Sequence, residues 1–417
     1  MSDQHKTSRP LRILVLAPQP FFQDRGTPLA VRNLLQVLSR QGYELDVLTY
    51  PEGADIEIPN CRIHRLARLP LVRDIRPGFS WKKVVYDVLM LFACFRMLRS
   101  RQWDVVHAVE ESVFLALLAR SVFGVPYIYD MDSSLPQQLL ERYAWLRPLR
   151  RPLEWCERLA IRGSCGVVTV CQLLEEIVGS HDPTRPVVRV EDASLLDGDR
   201  ARGPAGGPAL VDSAAGSATF PGPLLMYVGN LEPYQGIDLL VDTFVHVYHR
   251  HPTAQLVVVG GRAPDVARYR ERARRFGVAS RCHFLGPRPV AGLHGWLARA
   301  DILVSPRTLG RNTPMKIYSY LEAGKPILAT RLPMHTQVLD EQVSCLAEPN
   351  PLAMAEAADE LIGNGALCRA LADRARQRAE RDFRGEILNS KLTMFYETVL
   401  ESLVAAARRP VRGSFPP

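Results

Sequence analysis

The sequence predicts an α/β protein of two Rossmann-like domains facing across a cleft, and three observations lead there. Short apolar runs recur along the chain, each closed by Gly, Pro or a polar loop and followed by a stretch of helical period, the alternation that builds parallel sheets. The alternation stops at residues 197–223, rich in Gly, Ala, Pro and Ser, and then restarts. A chain of 417 residues exceeds one ordinary core and suits two domains of roughly 150–200 residues.

Composition narrows the class. Hydrophobic residues at 47% and charged residues at 23% exclude a disordered chain. The formal charge of +8 favours anionic partners, either nucleotide phosphates or a membrane surface. Nucleic acid is set aside because no RNA-binding signature, zinc-finger spacing or basic heptad is present. Eight cysteines without a C-x-x-C pair read as reduced thiols. The polar stretch before Leu11 leads straight into a strand without a secretory pattern, so a cytoplasmic location is expected, with peripheral attachment to the inner face of the membrane as an extension of it.

The first domain is expected over 1–196. Leu11 to Leu16 reads as its first strand, followed by a loop holding Arg25 and Gly26, an amphipathic helix, and a second strand from Glu44 to Thr49. Between Arg62 and Arg101 ten basic residues face two acidic ones, Asp74 and Asp87, among aromatic residues. Val84 to Leu98 is too short and too charged to span a bilayer, which needs about 20 apolar residues. It reads either as a core helix with a basic rim or as an amphipathic anchor on an anionic leaflet. A second basic and aromatic segment, Arg142 to Arg151, favours the anchor. Further strands end at His107 and at Tyr129, the latter opening into Asp130-Met131-Asp132-Ser133-Ser134, where open sheets bind ligands.

A flexible linker is expected over 197–223 and the second domain over 224–384. Its strands are closed in turn by Gly229, by Gly260-Gly261 and by Gly286-Pro287-Arg288. The strand Asp301 to Ser305 then passes through a loop carrying Arg307, Gly310, Arg311 and Asn312. A helix is expected to start at Thr313-Pro314, with the Thr313 hydroxyl as cap, and to end at Gly324. Free N–H groups at such a helix start seat a phosphate, with Arg311 and Lys316 as cations beside it. A helix over 385–406 is expected to pack back on the first domain, and 407–417 to be a disordered tail.

The run Pro314-Met315-Lys316-Ile317-Tyr318-Ser319-Tyr320, continuing to Gly324-Lys325-Pro326, resembles the P-x-K-x-x-E-Y-x-x-x-G-x-P signature of retaining glycosyltransferase family 4, among the group 1 glycosyl transferases of GT-B fold. The preceding YVGNLEPYQG, VVVGGR and FLGPR extend the resemblance through the second domain, and it is looser in the first. It implies transfer of a sugar from a nucleotide diphosphate donor to a hydroxyl acceptor on a glycolipid or polysaccharide, with retention. It implies no metal and no cofactor other than the donor substrate. By the same resemblance Gly26, Gly229, Asn230, Gln235, Gly236, Gly260, Gly286, Arg288, Arg311, Asn312, Thr313, Met315, Lys316 and Ser319 are the candidate donor contacts. Asp132, standing where the family has a histidine, and His107 are the candidate catalytic residues. Asn230 and Gln235 replace an Arg and a Lys of the family, and Arg311 and Ser319 replace its paired glutamates, so Arg311 and Lys316 are expected to neutralise the diphosphate instead. A nucleotide-sugar isomerase of the same fold, and a scaffold that binds nucleotide without turnover, are the rival readings.

Overall fold

The computed structural model describes residues 10–22, 26–70, 81–196 and 220–408. The expected linker as far as residue 219, Arg25, and the expected tail beyond Arg408 lie outside the described residues.

The chain divides into two compact units, Met1–Glu191 together with Leu388–Pro417, and Asp192–Ile387. The first unit carries, in chain order, β1 (Arg12–Ala17), α1 (Gly26–Arg40), β2 (Glu44–Thr49), β3 (Cys61–Arg65), α2 (Trp81–Ser100), β4 (Val105–Val109) and α3 (Ser112–Phe123). It continues with β5 (Tyr127–Met131), α4 (Leu135–Arg142), a 3-10 turn at Ala144–Leu149, α5 (Arg150–Gly163), β6 (Gly166–Thr169), α6 (Gln172–His181) and β7 (Val187–Arg189). The seven strands are parallel in the order β3-β2-β1-β4-β5-β6-β7. Alternation within β1 sorts the core. Leu14 and Leu16 face α2, α3, α5 and α6, while Ile13, Val15 and Ala17 face the other side.

The second unit holds β8 (Leu224–Val228), α7 (Ile237–Arg250), β9 (Gln255–Val259), α8 (Ala263–Arg275), β10 (Cys282–Gly286), α9 (Leu293–Arg299) and β11 (Ile302–Ser305). Then follow α10 (Lys316–Ala323), β12 (Ile327–Thr330), α11 (Pro333–Thr336), β13 (Cys345–Ala347), α12 (Pro351–Gly363) and α13 (Gly365–Asp382). Its six parallel strands run β10-β9-β8-β11-β12-β13. In both sheets the order reverses beside the first strand, at β1/β4 and at β8/β11, which opens a crevice at the carboxyl ends of those strands.

The last helix, α14 (Gly385–Arg408), leaves the second unit and joins the first. Leu392, Phe395, Tyr396, Val399 and Leu400 pack with α1 and the Ile13 face of the sheet. Burying such side chains stabilises by about 1.5–3 kcal/mol each, so the first sheet depends on this helix for its cover. Among the described residues no helix is long and apolar enough to cross a membrane. All eight cysteines are free thiols.

Candidate functional site

The crevice of the second unit is built by two loops, 229–236 after β8 and 306–315 after β11. They are tied together through their backbones. Thr308 N–H donates to the Tyr234 carbonyl at 3.0 Å, and Gly236 takes φ 73° against Pro306, whose carbonyl a Cβ would strike. Gly260, at φ 113°, lies against the Gly229 carbonyl in the same way, and its N–H donates to the Gly286 carbonyl at 2.7 Å. The expected glycines of this unit therefore hold four strand ends at close range. Side chains at Gly236 and Gly260 would push the loops apart.

Lys316 is the centre of this arrangement. Its ammonium donates to Gln235 Oε1 at 3.0 Å and sits 3.8 Å from the centroid of the Tyr227 ring. Burial, and then the charge of Arg307, hold its pKa well below the ordinary lysine value. Arg307 is itself buried, donating to the Leu309 carbonyl and to Asn312 Oδ1 at 3.1 Å, with its guanidinium 5.2 Å from the Tyr234 ring centroid. Two cations crowded in a low-dielectric pocket gain from an arriving anion. Thr313 adds a second pointer, because its hydroxyl is buried at 4% exposure with no hydrogen-bond partner.

Several expectations change here. The helix begins at Lys316 rather than at Thr313-Pro314, and Thr313 does not cap it. The preceding residues form a tighter turn, with Ile317 N–H bonded to the Pro314 carbonyl and Tyr318 N–H to the Met315 carbonyl. Ser319 turns away from the crevice. It is 1% exposed and its hydroxyl accepts the Leu195 N–H at 3.0 Å, so it fastens the segment entering the second unit instead of contacting a donor. Arg311 is exposed, and its carbonyl accepts a hydrogen bond from Gln337 at 2.8 Å. Met315 is half-buried at the helix start, Asn230 is exposed and bonds within its own loop, and Arg288 donates to the Pro287 carbonyl.

In the first unit His107 is sealed in β4 with no exposed surface. Its Nε2 pairs with Asp130 Oδ2 at 3.0 Å and its Nδ1 with the Tyr396 hydroxyl at 2.6 Å. Both nitrogens are spent within the core, so His107 cannot touch substrate. Asp132 is half-buried just past the end of β5. Gly26 opens α1 with open space where a Cβ would lie, so nothing described requires a glycine there.

Sequence reasoning missed three groups. Tyr227 lies inside a strand that reads as plain core, and Arg307 was one loop cation among several. Glu110, past the end of β4 at the reversal point, adopts φ 49°, a left-handed conformation rare outside glycine. Burial, and then Glu111, push its carboxyl up to about 7, while Glu111 itself pairs with Lys83 of α2. A non-glycine residue with positive φ leaves no mark in sequence. Among the described residues no cluster of three His, Cys, Asp or Glu side chains is placed to hold a metal.

Two family models match the chain: "Glycosyl transferase 4-like domain" over residues 25–191 and "Glycosyl transferases group 1" over residues 222–364. The phosphatidyl-myo-inositol mannosyltransferase of Mycobacterium tuberculosis is 24% identical over 409 residues, covering 94% of this chain and 98% of that protein. Among solved structures, sucrose-phosphate synthase from Thermosynechococcus elongatus superposes with a TM-score of 0.73 at 19% identity, covering 94% of this chain and 100% of that one. Anabaena HepE in complex with UDP-glucose gives 0.68 at 15%, covering 93% and 100%.

Proposed function

The chain belongs to the group 1 glycosyltransferases of GT-B fold, and we propose that it moves a sugar from a nucleotide diphosphate donor to a hydroxyl of a lipid-linked or polysaccharide acceptor, with retention and without a metal. One observation carries the donor half of this reading: Lys316 and Arg307 converge, with an unpartnered Thr313 hydroxyl nearby, at the start of α10 in the reversal crevice. The diphosphate seats there, between the fixed cations and the Thr313 hydroxyl. As the bond from the anomeric carbon to the phosphate oxygen breaks, Lys316 and Arg307 stabilise the charge that gathers on the leaving group. The acceptor oxygen bonds to that carbon on the same face, and its proton passes to the departing phosphate. Asp132 is assigned to the positive charge developing on the sugar. HepE, crystallised with UDP-glucose, supports a nucleotide-sugar donor, and the mycobacterial relative, named for phosphatidyl-myo-inositol, supports a lipid acceptor.

The test is thermal stabilisation by UDP, GDP, ADP and their sugar conjugates, followed by NMR of the product's anomeric configuration with chelator present. A ligand at about 100 times its Kd adds roughly 2.7 kcal/mol. Inversion, or loss of transfer on chelation, overturns the stereochemical or metal-free part. Binding without transfer or hydrolysis supports the scaffold reading, which the replacement of the family's cations by Asn230 and Gln235 favours. Product from donor alone supports the isomerase.

A further inference from the structure

Ser305 closing β11, Thr330 closing β12 and His335 in α11 are polar residues with no exposed surface, directly behind the loop that follows β11. Burying polar groups is costly unless they are bonded, and these bond to one another. His335 Nδ1 lies 2.9 Å from the Thr330 carbonyl oxygen and 3.0 Å from the Thr330 hydroxyl, and Nε2 lies 2.8 Å from the Ser305 hydroxyl. The Thr330 hydroxyl in turn donates to the Arg307 carbonyl at 2.6 Å. A carbonyl oxygen only accepts, so these partners leave one assignment of the hydrogens. Nδ1 carries the ring proton and donates to Thr330, and Nε2 accepts from Ser305. The Thr330 hydroxyl, whose lone pair meets the Nδ1–H, must then turn its own hydrogen toward Arg307. An Nε2–H tautomer would set a bare Nδ1 lone pair against the Thr330 carbonyl.

This arrangement reaches the donor site through the backbone of Arg307. The loop 306–315 has to keep the Arg307 guanidinium near the Lys316 ammonium, although the two cations repel. Its first part is pinned by Thr330 at the Arg307 carbonyl. Its tip is pinned by Gln337, one residue past α11, which donates to the Arg311 carbonyl at 2.8 Å. Both ties lead back to α11 and its end, so the short helix grips the loop at two places. Burial, and then the charges of Arg307 and Lys316, bring the His335 pKa down to about 4, against the bond to the Thr330 carbonyl, which raises it. The ring therefore ties the loop down without adding a third positive charge behind the pair.

We propose that His335 is a positioning residue of the donor site: its Nδ1–H turns the Thr330 hydroxyl onto the Arg307 carbonyl and so holds the loop in the form that binds the diphosphate. The role rests on the donor reading given above. It is tested by titrating the full chain and its variants with UDP, GDP and ADP, beside thermal scans without ligand. Thr330→Val keeps the shape of the side chain and removes its hydroxyl, and should lower affinity for the nucleotide that the wild type binds by about tenfold. His335→Gln should lose as much, because its amide reaches the Nε2 position and leaves Thr330 without a donor. His335→Asn, with an amide nitrogen at the Nδ1 position, should stay within about threefold of the wild type. Both His335 variants lose ring packing and melt lower, so stability does not separate them. Thr330→Val/His335→Gln together should bind no worse than either alone. Ser305→Ala removes only the Nε2 partner and should melt lower with wild-type affinity. In the unliganded wild type at neutral pH, the nitrogen-15 shifts of the His335 ring should show a protonated Nδ1 and a bare Nε2. An Nε2–H or doubly protonated ring overturns the role, as do Thr330→Val and His335→Gln variants that bind like the wild type. Equal losses in His335→Asn and His335→Gln, or in Ser305→Ala and Thr330→Val, overturn it too, since packing alone would then explain the effect. All of these leave the donor reading standing, whereas a wild type that binds none of the three nucleotides overturns that reading and this role with it.

Discussion

Replacing Lys316 with Met tests the donor site at its centre. The ammonium is held 3.0 Å from Gln235 Oε1 and 3.8 Å from the Tyr227 centroid, and no described carboxylate is bonded to it. A charge-assisted contact to a diphosphate contributes about 1.5–3 kcal/mol, so nucleotide diphosphate affinity should fall roughly 10- to 150-fold. Stability should move the other way. Because the folded protein depresses the lysine pKa, the unfolded chain binds that proton more firmly, and the buried charge opposes folding up to the ordinary lysine range. The variant keeps the methylene packing and loses the charge, so the unliganded melting temperature should hold or rise. Isothermal titration with the best nucleotide from the panel measures the first quantity, and a thermal scan without ligand the second. Wild-type affinity in Lys316→Met would refute the placement of the diphosphate. A collapse of unliganded stability would show instead that the cation holds the crevice together.

Four other variants separate the remaining roles. Arg311→Ala, on the exposed part of the loop, should weaken nucleotide diphosphate binding by roughly tenfold or more if its side chain swings onto the phosphates; unchanged affinity leaves Lys316 and Arg307 as the donor cations. Asp132→Asn should lower transfer by about a hundredfold, the order seen when a charge-stabilising group is lost, with nucleotide affinity intact by titration. Ser319→Ala removes the bond to the Leu195 N–H and should cost about 1–3 kcal/mol in urea unfolding, and a large loss of nucleotide affinity would contradict its packing role. Glu157 is pushed up to about 7 by burial, so the stability linked to its protonation is complete below the unfolded carboxyl range and is lost as pH rises through about 7. Glu157→Gln should therefore gain up to about 3 kcal/mol on the wild type between pH 5 and 8, and parallel urea midpoints at the two values would argue against it.

The alternation of apolar runs and helical stretches was enough to read both parallel sheets, because a strand covered on both faces must be apolar along its centre, as β1, β9 and β11 are apart from one polar end residue each. Local chemistry misled at the start of α10. Thr313-Pro314 has the composition of a cap, yet the backbone closes two i to i+3 turns first, and the hydroxyl is left over for another partner. The site was half legible. Lys316 and the glycines after strands carry their own signals, whereas the partners of Lys316 come from Tyr227 and Gln235, more than eighty positions away. Ser319 and His107 show the same limit from the other side, since a polar residue in a motif and one at a strand end proved to be fastenings inside the units.

The course of α14 bears on how the polypeptide is made. Residues 192–387 are contiguous and can complete their unit as they leave the ribosome, but the sheet that begins at Arg12 gains Leu392, Phe395 and Tyr396 only after that whole unit has been made. Its Ile13 face waits through the synthesis of the second unit with one helix of cover missing. Of the two units the one begun earlier is completed later, so during that interval the nascent chain has most need of a chaperone on the α1 side.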